Sequence, residues 1–438
     1  MLSFLWPGLG QWYAGARRSA ALFALPVLIA ALVAVGLLIQ GPESIVLGLL
    51  SPGTALAVAI IVALLGVWRF VAMVDGASAA AGRDAFRRRP VLAGLAAMTA
   101  LIVVTHVAVG GLALSFYNAG TKIFATEPAP EGSTPPTSSG DLANLPIATP
   151  NATPPSKAAR INILVLGIDS SPTRTHALTD TLMVVSVDPT TKTAAMISFP
   201  RDLADFPMFS GGTYHGKINA LMSDADHHKD TYPDGGLTTL TKEIGYLLGV
   251  PIHYYAAINL DGFEAMINRV GGVTINNPNP INDPSYGGWH EPGRIGFQLS
   301  KGVHTLDGET ALAYVRSRMG VGGNDFERAR RQQQLLVALE HKLSDPAMLP
   351  NLPGLLDDAT RTITTSFPVD RLEEMLQLGR QIPDGQILRF VLGPPYAERP
   401  LTAPDYRLVL VPDRISALSI KLFGADSRYA STGAVPAP

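Results

Sequence analysis

The chain contains no cysteine, which excludes disulfides, thiolate metal sites and a cysteine nucleophile. It is also poor in charge: Asp, Glu, Lys and Arg make up 16% of its 438 residues, and the formal net charge is −2. So balanced a composition offers no basic field for nucleic acid. The charge that is present is unevenly spread. Up to about residue 117 the sequence is mostly Ala, Leu, Val, Ile and Gly, and beyond residue 160 it reads as a water-soluble α/β protein. One stretch of that second part, "YVRSRMGVGGNDFERARRQQQ" from Tyr314 to Gln334, has no lysine and five arginines. Arg316, Arg318, Arg328, Arg330 and Arg331 fall there, with Asp325 and Glu327 among them.

Three apolar stretches, Ala20 to Ile39, Ala55 to Val74 and Val91 to Phe116, approach the roughly 20 residues that cross a bilayer as helix. The first lies too far from a small-residue cleavage site, and too close to a second span, to read as a cleaved signal peptide. Arginines mark the ends: Arg17 and Arg18 precede span one, and Arg83, Arg87, Arg88 and Arg89 separate spans two and three. The loop from Gln40 to Thr54 carries Glu43 and no Lys or Arg. The positive-inside rule then puts the N-terminus and the Arg83 loop in the cytoplasm and the chain after span three outside. In the opening "FLWPGLGQWYAG", Trp6, Trp12 and Tyr13 suit an interfacial segment. Residues 1–117 are therefore expected to form a membrane region, and 118–160, with "EPAPEGSTPPTSSG" and "ATPNATPPSK", an extended Pro/Ser/Thr-rich linker. A glycosylation-type triplet at Asn151 is too short to carry weight.

Beyond the linker, "INILVLGID" reads as a buried strand, "TDTLMVVSVD" as a second, and "TAAMISFPRD", after a "PTTK" turn, as a third ending at Pro200. If the three form a meander, the end of the first, the start of the second and the end of the third share one edge. Asp169, Asp180, Arg201 and Asp202 occupy those ends. Hard carboxylate oxygens beside a phosphate site suit Mg²⁺, which takes one or two carboxylates plus phosphate oxygens. "INLDGFEAMINRVGGVTI" adds a strand end, a helix and a Gly-Gly turn, and "LTTLTKEIGYLLG" a packing helix with Leu240, Ile244, Leu247 and Leu248 on one face, a face suited also to lining an apolar groove. His215, His227 and His228 lack metal-ligand spacing.

"LDGETALAYV" has helical character, with Arg316 and Arg318 at its end. "NDFERARRQQQLLVAL" opens on the capping residues Asn324 and Asp325, and Asp325, Arg328 and Gln332 share one helix face. Arginine used to the exclusion of lysine points to bidentate recognition of phosphate.

Four ordered blocks resemble the LytR–CpsA–Psr (LCP) family: "LVLGIDS…TDTLMVVSVD…ISFPRD", "KINA" at Lys217 to Ala220, "INLDGFEAMINRVGGVTINNP", and "LDGETALAYVRSR…NDFERARRQQ". The likeness covers about residues 160 to 345 and weakens to about 424. It implies an α/β fold with an LCP-type central mixed sheet flanked by helices, and an extracytoplasmic catalytic domain over 161–424; residues 425–438, mostly small or polar, are expected to form a disordered tail. It further implies a membrane-anchored phosphotransferase that moves a glycopolymer, such as teichoic acid or capsular polysaccharide, from a polyprenyl-diphosphate carrier to peptidoglycan. By matching motif, Asp169 and Asp180 would hold Mg²⁺. Arg201, Arg316, Arg318, Arg328 and Gln332 would contact the diphosphate, with Asp325 orienting them; Asp180 or Asp202 would be the candidate base. The prenyl tail would enter an apolar cleft between the sheet and its helices. Many members carry an arginine where this chain has Leu178, a departure that leaves the loop's contribution open, with Arg174, a few residues earlier, as the candidate substitute. The three spans exceed the single anchor the resemblance implies. A diphosphate hydrolase and a non-enzymatic lipid-binding regulator are the competing readings.

Overall fold

Apolar helices occupy the first part of the computed structural model of the chain, which describes residues 2–40, 42–82, 89–124, 159–169, 178–287, 295–319, 325–343, 345–401 and 405–431. The chain divides into two compact units, residues 1–122 with 368–373 and residues 123–367 with 374–438.

In the first unit, short helices α1 (Leu2–Leu5) and α2 (Leu9–Tyr13) precede α3 (Arg17–Gln40), α4 (Pro42–Leu50), α5 (Pro52–Ala81) and α6 (Arg89–Ile123). Helices α3, α5 and α6 are long and apolar enough to cross a membrane, and their side chains are largely exposed, as in helices facing hydrocarbon rather than a protein core. Two boundaries differ from the sequence expectation. The loop between the first two spans contains α4, and the third span runs to Ile123 rather than 117. The opening aromatic segment forms the α1–α2 pair, which packs on α5. Its Gln11, wholly buried, donates through Nε2 to Ala72 O at 2.7 Å and Asp75 Oδ2 at 3.0 Å, and accepts from Ser3 Oγ at 2.8 Å. Trp12 and Tyr13 stay exposed. Arg83, Arg87 and Arg88, most of the expected linker and Asn151 lie outside the described residues.

The second unit is built on a six-stranded mixed sheet. Its strands are β1 (Ile161–Asp169), β2 (Leu178–Asp188), β3 (Thr193–Ser198), β6 (Tyr254–Asn259), β11 (Ile363–Thr365) and β12 (Ile387–Val391), in the order β11-β6-β1-β2-β3-β12. The meander expected from sequence is present: β1–β2 and β2–β3 are antiparallel neighbours, while β1–β6 and β3–β12 are parallel. Leu164, Leu166, Leu182, Val184 and Ile197 are buried, as continuous apolar runs require in a sheet covered on both faces. Around the sheet lie α7 (Ile218–His227), α8 (Gly236–Leu248), α9 (Leu260–Arg269), α10 (Gly308–Arg316), α11 (Asp325–Leu343), α12 (Leu352–Thr362), α13 (Leu372–Gln381) and α14 (Pro412–Phe423). Two-stranded ribbons complete it: β4 (Ala204–Pro207) with β5 (Thr213–Lys217), β7 (Val273–Asn277) with β10 (Gly302–Leu306), β8 (Ile281–Asp283) with β9 (Phe297–Leu299), and β13 (Ala397–Glu398) with β14 (Val409–Leu410).

The tail expected to be disordered from 425 is in part ordered, because it has partners. Arg428 N donates to Gly249 O at 2.8 Å, and Tyr429 OH donates to Leu247 O at 2.9 Å, docking α15 (Arg428–Ser431) on the end of α8. The Arg428 guanidinium also lies 4.0 Å from the Tyr246 ring centroid. Residues 432–438 lie outside the described set.

Helix α8 hides one acidic group beneath its apolar face. Glu243 is fully buried, and its Oε2 accepts from Phe209 N at 3.1 Å. Burial pushes its carboxyl up to about 8, against the Phe209 hydrogen bond and the charge of Arg428. The folded state therefore holds a proton that the unfolded chain releases near the ordinary carboxylate value. Stability from this group is complete below about pH 4.5 and is lost as pH rises through about 8. Glu243→Gln, which mimics the protonated acid, is expected to remove a pH-dependent loss on the order of a few kcal/mol. Thermal melts at pH 5 and pH 8.5 test this: the gap between the two midpoints should shrink in the variant.

Candidate functional site

The site forms where β1 and β2 meet, and a backbone irregularity shapes it. In the β1–β2 register Ile168 pairs with Thr179 and Gly167 with Thr181, so Asp180 is the extra residue of a β-bulge. Gly167 is required there, because a Cβ would stand 2.8 Å from Thr181 Oγ1. The neighbouring Thr179 is buried and its hydroxyl donates to Asn219 O at 3.2 Å. Asp169, register-paired with Leu178, ends β1 on the same edge. Past the end of β3, Arg201 Nη1 donates to Asp180 Oδ1 at 2.7 Å, while its Nε lies 3.7 Å from Asp202 Oδ2. Arg201 thus bridges two carboxylates, and its closer contact reaches across to the bulge.

Helices α10 and α11 supply the opposite wall. Arg316 ends α10, with Nη2 3.9 Å from Asp169 Oδ2. Asp325 begins α11 and lies between two arginines, 3.4 Å from Arg318 Nε and 3.1 Å from Arg328 Nη2. A cleft of about 410 Å³ opens between these walls, lined by Asp180, Thr181, Arg316, Arg318, Arg328 and Gln332 together with Leu260, Val315 and Met319. Asp169, Arg201, Asp202 and Asp325 are not in its lining; Asp169, Arg201 and Asp325 pair with lining groups, and Asp202 pairs with Arg201. Asp283, Ser285, Tyr286 and Gly287 also line the cleft. They arrive from the β8–β9 ribbon, a Pro-, Asn- and Gly-rich stretch without periodicity, and sequence reasoning passed over them. Arg174 lies outside the described residues, as does Asn324.

Electrostatics divides these groups. Burial opposes the charge of Arg201, but Asp180, Asp325 and Asp202 outweigh it and raise its pKa. Burial lowers Arg328, with Asp325 resisting and Arg201 adding to the fall. Asp202, 7% exposed, is raised by burial and by the adjacent Asp325 carboxyl, although Lys217 Nζ donates to its Oδ1 at 2.7 Å. That contact explains the "KINA" lysine: it is the N-cap residue of α7 and holds Asp202 from behind the cleft. Among the described residues, Arg201 Nε, Arg328 Nε and Asp325 Oδ1 are buried without a hydrogen-bond partner; the Asp325–Arg328 ion pair is close but poorly aligned.

For a metal, the donor set is two carboxylates. Among the described residues no group of three or more His, Cys, Asp and Glu is arranged to hold an ion, so His215, His227 and His228 form no such site. Asp169 and Asp180 do not make an all-protein cage; any ion they held would have to be a hard cation that completes its shell with phosphate and water oxygens. A second cavity, about 620 Å³, lies between α5 and α6. It is apolar apart from Thr99 and His106, and the His106 ring is engaged with its own helix at Ile102 O.

The remaining arginines have other work. Arg331, 7% exposed, donates from Nη1 to Tyr314 O at 2.7 Å and from Nη2 to Ser317 O, and Gln332 Nε2 donates to Val315 O at 3.3 Å. These bonds satisfy carbonyls that the end of α10 leaves open. Arg330 is exposed and pairs with Glu327 one turn away. Arg331→Ala is expected to cost about 2–4 kcal/mol, because buried carbonyls lose charged donors and a void remains. Arg330→Ala should stay within about 0.5 kcal/mol of the parent. Chemical denaturation of both variants reads the difference.

The profile of the LytR_cpsA_psr family matches residues 136–389. Among relatives, the polyisoprenyl-teichoic acid–peptidoglycan teichoic acid transferase TagV of Bacillus subtilis is 31% identical over 253 residues, 57% of this chain and 60% of that protein. The transferase TagU of Bacillus mycoides is 28% identical over 220 residues, 50% of this chain and 64% of that protein. The matched region thus spans less than two thirds of the length of these relatives. A crystal structure of B. subtilis TagV overlays on 63% of this chain and 99% of its own, at 24% identity and a TM-score of 0.49.

Proposed function

Because the chain belongs to the LytR–CpsA–Psr family, we propose that it transfers a phosphoglycosyl polymer from a polyprenyl-diphosphate carrier to peptidoglycan during cell-wall assembly. One observation carries this reading: a single cleft gathers Arg316, Arg318, Arg328 and Gln332 opposite the Asp180 carboxylate. Planar guanidinium forks match phosphate oxygens two at a time, and a diphosphate has enough oxygens for several. The relatives TagV and TagU, named as teichoic acid transferases to peptidoglycan, support the same donor and acceptor classes.

Transfer from a diphosphate calls for positioning and charge neutralisation more than for covalent participation by the protein. An acceptor sugar hydroxyl attacks the phosphorus that bears the glycopolymer, in line with the bridging oxygen. A new P–O bond forms, the bond to the bridging oxygen breaks, and polyprenyl phosphate leaves with the electron pair. Arg316, Arg318 and Arg328 stabilise the charge that grows on that leaving phosphate. Asp325, between Arg318 and Arg328, keeps those two side chains aimed, and Arg201 holds the Asp180 carboxylate by Oδ1. Asp169 and Asp180 would hold Mg²⁺, which when bound neutralises diphosphate charge. Of the two carboxylates considered for the acceptor proton, only Asp180 meets the cleft; Asp202 is engaged by Lys217 behind it.

The reaction is tested by incubating the full-length protein with a polyprenyl-diphosphate-linked glycopolymer and peptidoglycan fragments and weighing the products by mass spectrometry. Polymer joined to the fragments is the expected result. Free phosphorylated polymer would mark a hydrolase, and binding without turnover a lipid-binding regulator. Asp180→Asn should lower transfer by at least about 100-fold while melting near the parent.

We further propose that Glu43 and residues after α6 face outward and the Arg83 loop faces the cytoplasm, since arginines flank one side of the spans. Alkaline phosphatase fused after Glu43 and after Glu131 should be active, and after Arg83 inactive. An active fusion at Arg83 would reverse the topology and remove the extracytoplasmic site.

A further inference from the structure

Arg316 and Arg318 are separated by a serine that faces the other way. Helix α10 ends at Arg316, and Ser317 takes φ −58° and ψ 136°. That conformation, near polyproline II, stops the helix and turns the Ser317 side chain away from those of its neighbours. The two arginines line the cleft, whereas Ser317 is 1% exposed. On its buried side the Ser317 hydroxyl donates to Asp283 Oδ2 at 2.8 Å. Asp283 is fixed in turn: its Oδ1 accepts from Ser285 N at 3.2 Å and Ser285 Oγ at 2.8 Å, and the residue is 4% exposed. From the side of α11, Arg331 holds the carbonyls of Tyr314 and Ser317, and Gln332 holds that of Val315.

We propose that Ser317 and Asp283 are positioning residues: their buried hydrogen bond fixes the direction in which Arg316 and Arg318 leave the backbone, so that both guanidinium groups reach one diphosphate together. The physical need is plain. Two long, flexible cations of like charge drift apart unless the backbone between them is pinned, and a backbone pinned only by its carbonyls can still rotate its side-chain directions. The hydroxyl–carboxylate contact removes that freedom at the residue between them. It also ties the arginines to the β8–β9 ribbon, whose Tyr286 hydroxyl lies beside Arg316. A monophosphate can be held by either arginine alone; a diphosphate bridged by both depends on their spacing. The Ser317–Asp283 bond should therefore set the preference for diphosphate over monophosphate.

This inference rests on reading the cleft as a diphosphate site, and the experiment separates the two. Farnesyl diphosphate and farnesyl monophosphate are titrated into the full-length protein in detergent micelles, with binding read by calorimetry. The parent is expected to prefer the diphosphate. Ser317→Ala should bind the diphosphate about ten-fold more weakly, with the monophosphate changed less than about two-fold. Ser317→Thr, which restores the hydroxyl, should recover the preference. If Ser317→Ala fails to fold, Asp283→Asn reads the same ratio, since it leaves one carbonyl acceptor where two hydroxyls need two. An unchanged preference in a folded variant, or an equal loss for both ligands, overturns the positioning role. Absence of a diphosphate preference in the parent overturns the reading of the cleft itself.

Discussion

Four guanidinium groups stand at one edge of the sheet, and each faces a carboxylate: Arg201 at Asp180, Arg316 at Asp169, Arg318 and Arg328 at Asp325. So much like charge in a partly buried place is stable only if it is offset locally, because uncompensated charge costs several kcal/mol when desolvated. The rest of the unit follows from this constraint. The carboxylates must come from elements other than those bearing the arginines, or from the far end of the same helix turn. The bulge in β2, the end of β1, the turn after β3 and the start of α11 supply them. A sheet with antiparallel neighbours at its centre brings three of those four points to one edge without any of them being near in sequence.

Much of this was legible in the residues. The "PTTK" turn is too short for anything but antiparallel pairing of β2 with β3, so the strand ends carrying Asp180, Arg201 and Asp202 share an edge, whereas the longer loop before β2 left Asp169 on that edge only if the three strands formed a meander. Helical spacing placed Asp325, Arg328 and Gln332 on one side. What the sequence could not separate were arginines of equal chemistry and nearly equal position. Arg328 and Arg331 are three residues apart on α11 and are both buried. One lines the cleft and the other caps α10, and the angle at which α11 packs against α10 makes that division. Periodicity fixes which residues share a helix face; it does not say what the face meets. The bulge at Asp180 was hidden for a related reason: a single unpaired residue leaves the alternation of apolar positions almost intact.

Asp283, Ser285 and Tyr286 escaped notice because their signal is tertiary. They sit at the end of β8 and in the turn that follows it, in a ribbon whose three-residue strands are too short for period-two alternation to be read. Their importance depends on burial against α10, and an acid in a Pro- and Asn-rich stretch reads as a turn residue by every local rule. The boundary of the C-terminal tail misled in the opposite sense. Small polar residues after Phe423 read as disorder, but Arg428 stacks on Tyr246 and its amide bonds Gly249, contacts that exist only once α8 is in place.

The ion pairs of the cleft are not equally tight, and their inequality bears on what they do. Arg201 holds Asp180 at 2.7 Å with hydrogen-bond geometry, whereas Arg316, Arg318 and Arg328 stand 3.9, 3.4 and 3.1 Å from their carboxylates. A short, aligned pair resists exchange, because breaking it strands a buried charge. A long or misaligned pair offsets charge while leaving donor hydrogens available. The three looser arginines are the ones that line the cleft, and the tight one stands behind it. An anion entering the cleft would thus meet Arg318 and Arg328 in ion pairs loose enough to share with it, while Arg316 stands beside Tyr286. Preorganisation of that kind lowers the cost of binding, since neither the arginines nor their carboxylates must move far to accept a diphosphate.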